Sequence, residues 1–341
     1  MTNSRTLKAQ SPSDLLAIVP CVLGFHPEDS LVLLTLGGAS DRFHARVDLP
    51  RDPEDLADVV KMLREVVARN AVRRCVLLAY TDDHCASQEL SDRLRRALEE
   101  EGVTVVEAIR ADGERWFSLT GCTRACCPAD GKPYDVSTHP FTAQAVVDGQ
   151  VTWGSRRELS DSLIGGDPVA MEAVDAAADE AMVRFQAAAR HPLGPPAPEA
   201  ARAHLVQEGQ WVGSRVRRFL ADGEALDAED AGRMLVALVV IEIRDVAWAE
   251  MTRANAGRHV DLWRDLARRT PFDLMAAPAA LLGFAAWLSG DGALAWCAVE
   301  RCQQVEPDYR LASLLTEALA GAMPPSRWRP VRPADLTLFA S

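Results

Sequence analysis

The strongest constraint on this chain is the way short apolar runs alternate with amphipathic stretches between residues 31 and 120. Leu31-Val32-Leu33-Leu34-Thr35-Leu36 is a continuous apolar run of strand length, while Phe43-His44-Ala45-Arg46-Val47-Asp48-Leu49 alternates apolar with polar. Such runs read as a buried and a half-buried strand, joined here by the hairpin-sized Gly37-Gly38-Ala39-Ser40. Pro53-Glu54-Asp55 then opens a helix carrying Leu56, Val59, Val60, Leu63 and Val67 at helical spacing. Cys75 to Tyr80 is a third strand, Ser87 to Glu101 a second amphipathic helix closed by Gly102, and Val103 to Ile109 a fourth strand. Asp112-Gly113 makes a tight turn into a fifth, Arg115 to Thr120.

Connections of helical length between strands call for right-handed crossovers, which make strands two, three and four run the same way. The short hairpins reverse strands one and five. The expected fold is therefore α/β, with a mixed, mostly parallel five-stranded sheet flanked by helices. Ahead of it, Ser11-Pro12-Ser13-Asp14 reads as a helix start. Leu15, Leu16, Ile18, Val19, Val22 and Leu23 form its apolar face, Pro20 is a potential kink and Gly24 a C-terminal cap.

The pattern changes after Phe141, and Gly165-Gly166-Asp167-Pro168 breaks the chain. Two domains are expected: 1–165, α/β with a cysteine-rich loop, and 166–341, all-helical. The helices expected in the second are Val169 to Arg190, Pro198 to Glu208, Val212 to Leu220, Ala228 to Ala254 and Val260 to Arg268, with His191 to Pro196 as a connector after the first. Pro278 to Asp308 looks like one tetratricopeptide-like helical pair. Leu282-Gly283, the Gly290-Asp291-Gly292 turn, Ala295, Val299, Cys302 and Pro307 suit that pattern of about 34 residues. Leu311 to Ala320 would cap it. No second copy is evident, and a single copy does not make an array.

At 341 residues the chain has room for both domains and substantial cores. Its 48% apolar and 25% charged residues are those of a soluble globular protein. The balance of 37 basic against 49 acidic residues, a net charge of −12, argues against nucleic acid or an anionic membrane surface as partner. The most apolar stretch, Met234 to Ile243, is too short to span a bilayer. Met1 to Gln10 lacks the apolar segment of an export signal. A cytoplasmic setting is expected, where eight cysteines are poor grounds for disulfides.

Three groups of residues are candidates for chemistry. The most distinctive stretch, Arg115 to Gly131, holds Cys122, Cys126 and Cys127. Cys122-x3-Cys126 is half of a zinc site that Cys127 and His139 would complete. The same cysteines would serve as a redox pair, or simply as small side chains packed in a tight loop, and that last reading leads. The second group follows from topology, because ligands of open α/β sheets bind beyond the carboxyl ends of parallel strands. That edge would gather Asp48, Asp82, Asp83, His84 and Arg110, together with His26, Asp29 and Ser30 before strand one and Arg115 before strand five. Such a rim suits Mg²⁺ or a phosphate-bearing ligand, against the plainer reading of solvated loop residues. Strand five runs away from this rim, so the cysteine loop belongs to the opposite edge.

The third group is Glu242-Ile243-Arg244-Asp245. On one continuous helix Met234, Leu238, Ile241, Asp245 and Trp248 share a stripe, which would bury a carboxylate, and an ion pair stitching helices together is favoured there over a metal ligand. Trp211, Trp248, Trp263, Trp287 and Trp296 are expected as packing anchors, some of them as the lining of a partner groove. No Gly-x-Gly-x-x-Gly after a strand, Walker loop, Gly-x-Ser-x-Gly elbow or His-Glu-x-x-His is present.

Several pieces together resemble one family. They are Ser11-Pro12-Ser13-Asp14-Leu15-Leu16, Val19 to Val32, Arg115-Trp116-Phe117-Ser118, and Cys122 with Cys126-Cys127-Pro128; Arg244-Asp245 is a weaker piece. The family is an actinobacterial one known as domain of unknown function four-one-nine-two, and the resemblance covers most of the chain. Cys21 stands where an aromatic residue is expected, and Phe117 where tryptophan is commoner. The resemblance supplies lineage and no mechanism. Two functions stay open. One is a binding or adaptor protein, its α/β half sensing a small, phosphorylated type of ligand and its helical half engaging a protein partner. The other is a metal-dependent hydrolase of phosphorylated small molecules working at the acidic rim.

Overall fold

The computed structural model describes residues 9–37, 44–120, 129–188 and 198–339. The chain divides into two compact units, Met1–Glu158 and Leu159–Ser341, a few residues ahead of the Gly165 break.

In the first unit α1 (Pro12–Leu23) starts at Ser11, whose hydroxyl accepts the Asp14 N–H at 3.2 Å. It runs through Pro20 and stops at Gly24, whose φ of 75° suits a residue without a Cβ. Then come β1 (Ser30–Thr35), β2 (His44–Asp48), α2 (Pro53–Arg69), β3 (Arg74–Tyr80), α3 (His84–Glu100), β4 (Thr104–Ala111), β5 (Arg115–Ser118), β6 (Lys132–Pro133) and α4 (Pro140–Val147). A short helix, α5 (Arg156–Asp161), spans the point of division.

The strands form one mixed sheet in the order β2-β1-β3-β4-β5-β6. As expected, β2, β3 and β4 point one way and β1 and β5 the other. Two expectations need correction. The sheet has six strands and not five, because Trp116 and Arg115 pair with Lys132 and Pro133. A two-residue strand carries no readable alternation, and proline tolerates an edge position. Nor is the sheet mostly parallel. The β1–β2 hairpin docks through β1, which inserts antiparallel between β2 and β3, so β3–β4 is the single parallel pairing among the described strands.

One face of the sheet presents Leu31, Leu33, Cys75, Leu77 and Ala79 to Leu56, Leu63 and Val67 of α2 and Leu90, Leu94 and Leu98 of α3. Each such leucine stabilises the fold by about 1.5–3 kcal/mol relative to exposure. Val32, Leu34, Val76 and Leu78 are buried on the other face, where the Tyr80 hydroxyl reaches the Leu16 carbonyl of α1 at 3.5 Å. Beside α1, His26 N–H donates to Trp153 O at 3.0 Å and Trp153 N–H to Gly24 O at 2.8 Å. The ambiguous run around Trp153 is thus a clamp on the chain leaving α1.

The second unit is helical: α6 (Pro168–Ala188), α7 (Pro198–Asp222), α8 (Ala228–Leu238), α9 (Ile241–Ala249), α10 (Ala256–Arg269), α11 (Ala276–Ser289), α12 (Gly292–Val305) and α13 (Arg310–Ala320). The two helices expected over 198–220 are one. Gly209 and Gly213 do not break α7; they let Leu338 and Val246 approach, since a Cβ would stand 2.5 and 3.2 Å from them. The single helix expected over 228–254 is two, because Val240 takes an extended conformation. That break overturns the apolar stripe through Asp245. Arg244 is the buried member of the pair, and Asp245 binds it from the next position on the same helix. Arg244 also lies over the Tyr309 ring, 5.5 Å from its centre.

Trp248, Phe284, Trp287 and Trp328 form one aromatic cluster, and Trp263 is fully buried. Helices α11 and α12 form a hairpin turned at Gly290, with Asp291 capping α12 through the Leu294 N–H. No described helix is long and apolar enough to cross a membrane.

Candidate functional site

Strand direction assembles the rim. Because β1 runs against β2 and β3, Ser30 pairs with both Asp48 and Tyr80, and Tyr80 pairs with Ala111. Asp29, Asp48, Thr81, Asp82, Arg110 and Arg115 therefore come to one edge of the sheet. At its centre is a chain of hydrogen bonds. The Thr81 hydroxyl donates to Asp29 Oδ1 at 3.0 Å and accepts the Asp83 N–H at 3.2 Å. The Thr81 carbonyl accepts from Arg110 Nη1 at 3.1 Å, and the Asp82 carbonyl from the same nitrogen at 3.4 Å. Arg110 is 7% exposed and its guanidinium lies 3.9 Å above the centre of the Phe117 ring. Phe117 in turn packs on Gly131, where a Cβ would come within 2.6 Å of the ring.

Asp29 reaches this position with a φ of 39°, in the left-handed region that costs a non-glycine residue. Its carbonyl accepts the Leu49 N–H at 2.9 Å, tying the entrance of β1 to the exit of β2. Strain held at a point of convergence is a mark of functional sites. Asp83 caps α3 by accepting the Ala86 N–H at 2.9 Å, and His84 is the first, exposed residue of that helix.

Other expected members stand apart. Asp48 is exposed and pairs with Arg46 at 2.7 Å. Arg115 spends its guanidinium on the Asp130 and Gly131 carbonyls at 3.0 and 3.1 Å. His26 is exposed, and its ring makes no polar contact among the described residues. Ser30 is fully buried and its Oγ has no partner among the described residues, because it faces inward from the first position of β1, so a ligand arriving from solvent does not meet it. Sequence reasoning missed Arg46, although it shares a strand face with Asp48 two residues on, a signal that alternation carries. It also missed Tyr134. Burial, with Asp112 close by, pushes that phenol above its ordinary pKa. Burial and then Tyr134 push Tyr80 well above its own.

Cys122, Cys126 and Cys127 lie outside the described residues. His139 has other employment. Its Nδ1 accepts the Phe141 N–H at 3.2 Å, capping α4, and its Nε2 bonds Asp14 at 3.1 Å. Among the described residues no three His, Cys, Asp or Glu side chains are grouped to hold a metal ion.

A family model described as Domain of unknown function (DUF4192) matches residues 12–326, a span that takes in the rim and most of both units. No curated protein and no solved structure matches the chain.

Proposed function

We propose a binding function for this protein, which belongs to the DUF4192 family of domains of unknown function. The α/β unit takes a small, phosphate-bearing ligand at the rim, and the helical unit engages a protein partner in the cytoplasm. The observation that carries this reading is the Thr81 bridge. One hydroxyl links Asp29 before β1 to the Asp83 cap of α3, while Arg110 holds the intervening carbonyls from behind. The loop carrying Asp82, Asp83 and His84 is thereby fixed before any ligand arrives, which lowers the ordering cost of binding. Its position, beyond the carboxyl ends of β3 and β4, is where α/β sheets take ligands. For the helical unit, the α11–α12 hairpin supports the tetratricopeptide-like comparison. Gly283 lies within contact of Val299 and Leu315, as a close helix pair requires.

A thermal-shift screen with nucleotides and Mg²⁺ tests the rim, because ligands that bind the native state raise its melting temperature. Asp82→Asn, at an exposed loop position, should abolish the shift and leave the melting temperature of the free protein within about 2 °C. Thr81→Val should weaken binding and also cost about 1 kcal/mol of stability, through the lost hydrogen bonds. A shift that survives both substitutions would remove the rim as the site.

A further inference from the structure

The second unit contains a cleft of about 430 Å³ between α6, α7 and α8, lined by Arg184, Phe185, His204, Glu208, Arg233 and Val236 among others. Arg233 is fixed from two sides. Glu208, only 6% exposed, accepts from Nε at 3.1 Å and from Nη2 at 2.8 Å, and the Trp211 ring lies 4.1 Å from the guanidinium carbon. These contacts use one edge of the fork, and Nη1 bonds no acceptor among the described residues. A guanidinium locked by a buried carboxylate and an aromatic ring is a preorganised donor for a planar oxyanion.

The rest of the lining complements it. His204 packs on Phe185 with ring centres 4.9 Å apart, and its Nε2 is shielded from solvent without a hydrogen-bond partner among the described residues. Phe185, with the buried Ala181 and Val236, supplies an apolar floor. Arg184 is half-exposed and, among the described residues, holds only long, exposed ion pairs, at 3.5 Å to Glu180 and 3.9 Å to Glu229. Such pairs are weak, so its charge is available to a ligand.

We propose that this cleft binds a small organic monoanion, a carboxylate carried on a compact apolar body. The carboxylate accepts from the free edge of Arg233 with Arg184 alongside, and the apolar body lies on Phe185 and Val236. The lining sets Arg184 and Arg233 against Glu208 and Glu229, so it holds no surplus of positive charge for a dianion. A single negative charge is tolerated there better than a double one. The site is carried by residues of the second unit alone and is independent of the rim.

Saturation-transfer NMR on the full chain, with benzoate as the probe, tests this. Benzoate should bind at least about tenfold more tightly than benzamide, its neutral isostere, and more tightly than the dianion phenyl phosphate. Arg233→Lys, which keeps a cation facing Glu208, should weaken benzoate about tenfold by removing the fork. Arg184→Glu, at an exposed position, should weaken it by a similar factor, and it decides the matter alone if Arg233→Lys does not fold. No saturation of benzoate, equal binding of benzamide, tighter binding of phenyl phosphate, or undiminished binding to Arg184→Glu would each overturn the proposal.

Discussion

His259 is sealed from solvent on α10, its ring stacked 6.5 Å from that of Trp263 and its Nε2 donating to the Glu250 carbonyl at 3.3 Å. That leaves Nδ1 buried without a partner among the described residues, as neutral imidazole can tolerate and imidazolium cannot. Burial lowers its pKa from 6.5 to about 4, and the Glu250 carbonyl only partly opposes it. The unfolded chain therefore binds a proton that the folded chain refuses between pH 6.5 and 4, so stability falls as pH drops through that window. Between pH 7 and pH 5 the helical unit should lose about 2 kcal/mol from this group. Urea midpoints at the two pH values check it, and His259→Leu should abolish that part of the difference.

Helix packing makes opposite demands on glycines that look alike in the sequence. Gly232 lies where α8 crosses α6, and a Cβ there would come within 2.5 Å of Ala178 N and 2.6 Å of Ala177 C. Those are backbone atoms, so relief requires moving a helix. Gly232→Ala should cost about 3 kcal/mol, the upper end for overpacking. Gly257, in the first turn of α10, has nothing within 4 Å of its would-be Cβ. Gly257→Ala should stabilise by about 0.5 kcal/mol, through a less flexible unfolded chain. Chemical denaturation of the two variants reads both signs. Intrinsic propensity alone favours alanine at both positions, so the difference between them is tertiary.

The two compact units have separate cores, which gives the acid effect an address. In hydrogen exchange, lowering the pH from 7 to 5 should reduce the protection free energy of the slowest amides in α10, α11 and α12 by about 2 kcal/mol, after correction for intrinsic rates. The amides of β1, β3 and β4 should keep theirs. Equal losses in both sets would mean that the units unfold as one.

Strand direction was legible in the sequence because it depends on local matters: the length of each connection and the hand of a crossover. The same reasoning brought Asp29, Asp82 and Arg110 to one edge before any contact was known. Strand order was only half legible. The continuous apolar run of β1 and the alternation of β2 mark β1 as the inner strand of that hairpin, while its docking antiparallel on β3 is a pairing of segments remote in the chain. The helical unit hid more, since the continuity of α7 across Gly209 and the break at Val240 depend on Leu338, Val246 and neighbours remote in the chain. The sequence by itself determined the elements and their polarity, which are properties of short segments. The tertiary structure alone decided which carboxylate meets the Thr81 hydroxyl and that Arg244, not Asp245, is buried, because those outcomes belong to pairs of segments that meet only once the chain has folded.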